Sequence, residues 1–148
     1  IMSTAAKLKL ERIDYSDLYF DTFSTKKELD KESFLKTFCL NLTGCLIKKW
    51  NKKDIINSLI IPGKKLLFFD IINITEIEVI LAGETKNIDY RLALAFVNSI
   101  DNNYIAVMST KICLKDIFGR ILFFFIKPFH KKIIKRAFVK TINCFKDN

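Results

Sequence analysis

No stretch of this sequence is as long, as apolar and as free of turn residues as residues 116–145. Asp116 stands where a helix N-cap belongs, because its carboxylate can accept hydrogen bonds from backbone N–H groups two or three residues on. Ile121, Leu122, Phe123, Phe124, Phe125 and Ile126 form the most apolar run, followed by Pro128 and, after His130, a basic segment. This spacing predicts a long terminal helix on which the rest of the chain packs. Pro128 removes one helical hydrogen bond, so a bend is expected near residues 124–127, with space beneath Phe124 and Phe125.

What that helix covers is read from the chain before it. Residues 15–23 alternate, with Tyr15, Asp17, Tyr19, Asp21 and Phe23 on one side and Leu18, Phe20 and Thr22 on the other, as in a strand. From residue 31 to about 60 the apolar positions recur at three and four: Phe34, Phe38, Leu42 and Cys45 in one stripe, Leu35 and Leu46 beside it, then Ile55, Ile56, Leu59 and Ile60. Residues 41–44 and 51–54 break this region into two or three short helices, with Trp50 as a packing anchor at a break. Pro62 and Gly63 end it, and strand patterns follow at residues 65–74, 75–84, 88–99 and 104–115.

The last two strands can be set in register. A three-residue loop at 101–103 would pair Phe96 with Met108, Leu94 with Thr110, Leu92 with Ile112 and Tyr90 with Leu114. The other face would pair Val97 with Val107, Ala95 with Ser109, Arg91 with Cys113 and Asp89 with Lys115. One face is then large and apolar, and the other small with an opposite-charge pair. The fold class expected is α+β: a curved antiparallel sheet around a long C-terminal helix, with short helices after the first strand, residues 1–148 forming one domain. In that arrangement Phe118, Leu122, Phe125 and Phe129 would face the apolar side of the sheet.

With 148 residues, half of them hydrophobic and 14 of them Phe, the chain has the length and apolar content of a folded domain with a real core. A net charge of +9 raises nucleic acid and anionic surfaces as partners. Only four of the 25 basic residues are Arg (Arg12, Arg91, Arg120, Arg136), whereas phosphate-binding surfaces favour the planar Arg fork. Abundant Lys, Ile, Asn and Phe point instead to the compositional bias of an AT-rich genome, and no nucleic-acid partner is expected. Cys39, Cys45, Cys113 and Cys144 match neither zinc spacing nor a CxxC pair, and neither metal nor cofactor is expected. No secretory signal is read, so a reducing, cytoplasmic setting is the simpler expectation. No window reaches the ~20 apolar residues of a membrane span, since Arg120 and Lys127 close the most apolar run.

Four short segments carry a resemblance: Gly83-Glu84, Ile88-Asp89-Tyr90-Arg91, Phe118-Gly119-Arg120 and Lys127-Pro128-Phe129-His130. Together they resemble the pattern G-(D/E), H-L-D-F-R, G-R-x-Y and R-P-F-H of a bacterial domain-of-unknown-function family (DUF2867-like), over about residues 15–142. Ile88 replaces the His of that pattern, and Leu122 stands where an aromatic is common. The family is similar to the START-like, polyketide-cyclase-like (SRPBCC) superfamily, so the resemblance implies a helix-grip fold. Larger members carry this domain behind a nucleotide-binding dehydrogenase-like domain, which implies a dehydrogenase-like partner protein. No activity is implied.

His130 is the only histidine, and Ile126, Lys127, Ile133 and Ile134, three and four residues away, cannot orient an imidazole. A catalytic partner would have to come from the sheet, and a ring that hydrogen-bonds a neighbouring element is the simpler reading. Asp89 and Arg91 share a strand face within reach of Arg120. They form either a salt-bridge network that fixes the helix angle or, more sharply, a polar cluster at the mouth of an apolar pocket, orienting a ligand's carboxylate or hydroxyl. Lys127, Lys131 and Lys135 make a helical stripe, read as a solvated face in preference to contact with anionic lipid. Four glycines offer little for a phosphate-binding loop.

The candidate ligand-binding residues are therefore Asp89, Arg91, Arg120 and His130, with Tyr90, Leu92, Leu94, Phe96, Met108, Phe125 and Phe129 as apolar lining; none is assigned a catalytic role. Two functions fit. One is a non-catalytic binding module for an apolar or amphipathic small molecule in a helix–sheet cavity. The other is an accessory domain with a filled core acting through a partner protein. An enzyme of the cyclase or hydrolase kind ranks behind both, because no acid–base pair assembles from the sequence.

Overall fold

Alternating apolar residues along the middle of the chain build one antiparallel sheet, and the two helical stripes lie on the same face of it. The computed structural model describes residues 10, 12–25, 29–44, 52–66, 69–98 and 103–146. In chain order the elements are β1 (Tyr15–Ser24), α1 (Lys31–Gly44), α2 (Lys52–Ile56), β2 (Lys65–Leu66), β3 (Phe69–Ile74), β4 (Glu78–Glu84), β5 (Ile88–Asn98), β6 (Asn103–Leu114) and α3 (Ile117–Phe145). The fold is α+β, a six-stranded sheet in the order β1-β6-β5-β4-β3-β2 with a long C-terminal helix. Strands β2 to β6 form a meander, and β1 pairs outside β6. The run at 65–74 thus supplies two strands in place of one. Trp50 and Cys45 lie outside the described residues.

Turn chemistry explains the punctuation. Gly63 has φ +90°, a left-handed conformation that glycine adopts without a Cβ clash, and its N–H donates to Ile71 O at 2.9 Å. At the β4–β5 turn, Ile88 N donates to Thr85 Oγ1 at 2.9 Å, and the same hydroxyl donates to Ile88 O at 2.8 Å.

The β5–β6 register differs from expectation by two residues. Leu94 stands opposite Met108, Leu92 opposite Thr110, Tyr90 opposite Ile112 and Asp89 opposite Cys113. A slip of two leaves every side chain on its own face, so hydrophobic pattern alone cannot distinguish these registers. Asp89 and Lys115 nevertheless meet as an ion pair, with Lys115 Nζ 2.7 Å from Asp89 Oδ1.

The main core joins Phe34, Leu35, Phe38 and Leu42 of α1, Ile134, Ala137, Phe138 and Ile142 of α3, and the inward residues Val79, Leu81, Leu92, Leu94, Phe96 and Met108 of the sheet. A smaller cluster, Ile112, Leu114 and Phe123, lies near the start of α3.

The helix face expected from the sequence is corrected here. Phe118, Phe125 and Phe129 are about two-thirds exposed and Leu122 half exposed, while Gly119, Phe123, Ile134, Ala137, Phe138, Thr141 and Ile142 are buried. Residues 121–126 are apolar on every side, so periodicity cannot select a face there. The anchor at the helix start does. Asp116 accepts from Gly119 N at 2.8 Å and from Asn87 Nδ2 at 2.7 Å, and Lys115 N donates to Asn87 O at 2.9 Å. A Cβ on Gly119 would come within 2.4 Å of Asn87 O, so the glycine allows the helix to sit directly on the β4–β5 turn. With Gly119 inward, the positions three and four residues on follow it. The helix continues unbroken through Pro128, which faces solvent.

Candidate functional site

The terminal helix is held at its start by the Asn87 turn and in its second half by α1. Between these two supports it stands off the sheet and leaves a cavity of about 380 Å³. Leu122, Phe123, Ile126, Phe129, His130, Ile133 and Ile134 line it from α3, and Ile88, Tyr90, Leu92, Thr110 and Ile112 from β5 and β6. Leu42 of α1 and Phe69 of β3 close it, with Thr85 at the turn. No charged side chain is among these residues.

Polar groups on the wall are few, namely Thr85, Tyr90, Thr110 and His130, and a further polar group stands beside the wall on β1. Asp17 sits opposite Thr110 in the register, on the same strand face as Tyr15 and Tyr19. One carboxylate oxygen, Oδ2, accepts from Tyr15 Oη at 2.5 Å and from Tyr19 Oη at 3.0 Å. Burial, and then donation to Asp17, raise both phenols, Tyr19 to about 12, so each stays protonated as a donor at neutral pH. Burial holds His130 below its ordinary value and the charge of Asp17 opposes that shift, leaving a neutral imidazole. Thr110 Oγ1 and His130 Nδ1 are buried and have no hydrogen-bond partner among the described residues. Unmet buried polar atoms cost on the order of 1–3 kcal/mol each, so a bound molecule that satisfies them recovers that free energy.

Of the residues expected at the site, the structure brings Tyr90, Leu92, Phe129 and His130 to the cavity. Leu94, Phe96 and Met108 are buried in the packed core beyond it, where α1 fills the space. Phe125 faces solvent. Asp89 and Arg91 alternate with Tyr90 and Leu92 and so point to the opposite face of the sheet. There Arg91 is buried, with Nη2 3.5 Å from Glu84 Oε1 and Nη1 donating to Tyr90 O at 2.9 Å. Arg120 is exposed, and its charge acts on Asp14. The expected Asp89–Arg91–Arg120 cluster at a pocket mouth is therefore not formed: a strand's two faces cannot both serve one cavity. Of the two ring nitrogens of His130, Nδ1 has no hydrogen-bond partner among the described residues.

Asp17, Tyr15, Tyr19 and Thr110 were not among the candidates. A signal was present: Tyr15, Asp17 and Tyr19 alternate on one face, and a carboxylate between two phenols on an inward strand face needs partners.

Gly83 and Gly119 both make close approaches here. A Cβ on Gly83 would overlap the Tyr90 ring, which lies across the glycine beside the cavity. No curated protein and no solved structure matches this chain. Residues 57–137, more than half of the 148, match the family described as "Protein of unknown function (DUF2867)". That span carries β2 to β6 and the part of α3 above the cavity, and the chain belongs to this family.

Proposed function

We propose that this chain is a START-like, helix-grip domain that works as a non-catalytic binding module for an apolar or amphipathic small molecule held between α3 and the sheet. The cavity carries this proposal. Its volume of about 380 Å³ lies within the size of small-molecule sites, and its walls are apolar with a few convergent polar groups. The helix-grip assignment is supported by a long terminal helix laid on an antiparallel sheet, with α1 closing one end.

The lining also bears on the ligand's head group. With no Lys or Arg on the wall and Asp17 close behind it, a carboxylate would meet no compensating cation. A hydroxyl or carbonyl suits Thr110 and the neutral His130. A second recess, at the far end of the sheet, has Asp30, Lys31 and Glu76 on its rim and is a poorer match to an apolar ligand.

Native mass spectrometry of protein purified from its own host, followed by organic extraction, tests the proposal. A neutral apolar alcohol or ketone should co-purify and be displaced in Ile112→Trp, which fills the cavity. A clean apo mass, with no thermal shift across a panel of such compounds, would overturn it and favour the accessory-domain alternative.

A further inference from the structure

The outer side of the first half of α3 has no covering element among the described residues. Phe118, Ile121, Phe124, Phe125 and Phe129 are each more than half exposed, Phe124 to 75%. The rings of Phe124 and Phe125 meet edge to face at 5.6 Å. Single exposed hydrophobic residues are ordinary, but a contiguous aromatic patch over three turns marks a contact surface.

The charge around it names the partner. The helix carries Arg120 and six further basic residues from Lys127 to Lys140, and no acidic residue. Lys132, Lys135 and Arg136 are exposed about one to two turns beyond the aromatic patch on the same outer side. Lys127 and Lys131 edge it, their Nζ atoms 5.1 and 5.7 Å from the centroid of the Tyr15 ring. At a rise of about 1.5 Å per residue, this basic collar begins roughly 10–15 Å along the axis from Phe124. A bilayer has the same layering: an acyl boundary that accepts aromatic rings, and anionic phosphates a few ångströms above it. A second copy fits less well, because a two-fold contact through this patch would bring two all-basic collars together. No helix among the described residues is long and apolar enough to cross a membrane.

We propose that the first half of α3 docks on the surface of an anionic lipid bilayer, its phenylalanines entering the acyl boundary and its lysines contacting the headgroup phosphates. Leu122, Ile126 and Phe129 belong both to this surface and to the cavity wall, so docking places the cavity against the lipid. The docking surface stands on exposure and charge alone and does not depend on what the cavity holds.

Co-sedimentation of the full chain with vesicles tests it, using phosphatidylcholine alone and phosphatidylcholine with about one-third phosphatidylglycerol. Binding is expected on the anionic vesicles, weaker on the neutral ones and weaker in high salt. Phe124→Ser/Phe125→Ser should lower partitioning about tenfold or more on both. Lys131→Glu/Lys135→Glu should lower it by a similar factor on the anionic vesicles only. All four positions are exposed, so an unchanged melting temperature certifies that the variants fold. Ile112→Trp should still bind vesicles, which separates this proposal from the cavity reading. Protein left in the supernatant with anionic vesicles at low salt would overturn it. So would binding indifferent to both double substitutions, or a dimer dissolved by the Phe124/Phe125 pair in a chain that ignores vesicles.

Discussion

The two halves of α3 are built from similar residues and meet opposite fates. In the second half, Ile134, Ala137, Phe138, Thr141 and Ile142 are buried against α1 and the sheet, and Asn41 Nδ2 donates to Thr141 Oγ1 at 3.0 Å across the two helices. In the first half most of the large side chains are exposed, and only Gly119 and Phe123 are buried. The contrast isolates the effect of a second helix. Where α1 lies alongside, the gap between α3 and the sheet is filled with Phe34, Leu35 and Phe38; where α1 ends, the gap becomes the cavity. One half of the helix closes the packed core, and the other leaves open space above the sheet.

Single substitutions should break that contrast to different degrees. The largest effect is expected from Phe138→Ala, which empties a packed site and should cost about 3–5 kcal/mol in urea denaturation. Phe124→Ala, the same change on the exposed half, should stay within about 0.5 kcal/mol. Equal losses would show that the first half of the helix is covered after all. Next in size is Gly119→Ala. Its methyl group would press on Asn87 O, at 2.4 Å, and overpacking of this kind costs about 1–3 kcal/mol. Because the anchor also sets the cavity height, a shift in the ring-current NMR signals of Phe123 should accompany the loss.

Thr110→Val should be neutral or stabilising by about 1 kcal/mol, since it replaces a buried hydroxyl that has no partner among the described residues with a methyl group of the same shape. A clear loss of stability would mean that the hydroxyl is satisfied.

The smallest effect is in pH. Burial lowers His130 from 6.5, so the folded state binds fewer protons than the unfolded state just below that value. Stability should be full above pH 6.5 and fall as the pH drops through it toward the depressed folded value; His130→Gln should flatten this limb. Asp14 and Asp116 add a separate loss further down. Backbone N–H donors lower both from 3.8, so their contribution is present above that value and lost as the pH falls below it. A slope just below pH 6.5 that survives in His130→Gln would show that another group titrates there.

Some of this was readable from residues alone. Asp116 is the N-cap of a helix that runs to Phe145, and the strands begin and end within a few residues of the alternation that signals them. Both faces of β5 are as the pattern implied, and Asp89 does find Lys115. The misses share a cause. Phe125 and Leu94 look alike in sequence because apolar residues mark a buried or contact surface without saying which. Asp17 carries no comparable mark, because its partners Tyr15 and Tyr19 acquire their meaning only when β1 is laid beside β6.

The element order, the capped terminal helix and the inward face of β5 and β6 follow from local hydrogen bonding and from periods of two and 3.6 residues, and so were present in the sequence. Tertiary structure alone decided the β5–β6 register, the rotation of α3 about its own axis and hence the cavity. A register slip of two and an all-round apolar helix are degenerate in pattern, and only contacts between distant segments, Gly119 on Asn87 and α1 against α3, lift that degeneracy.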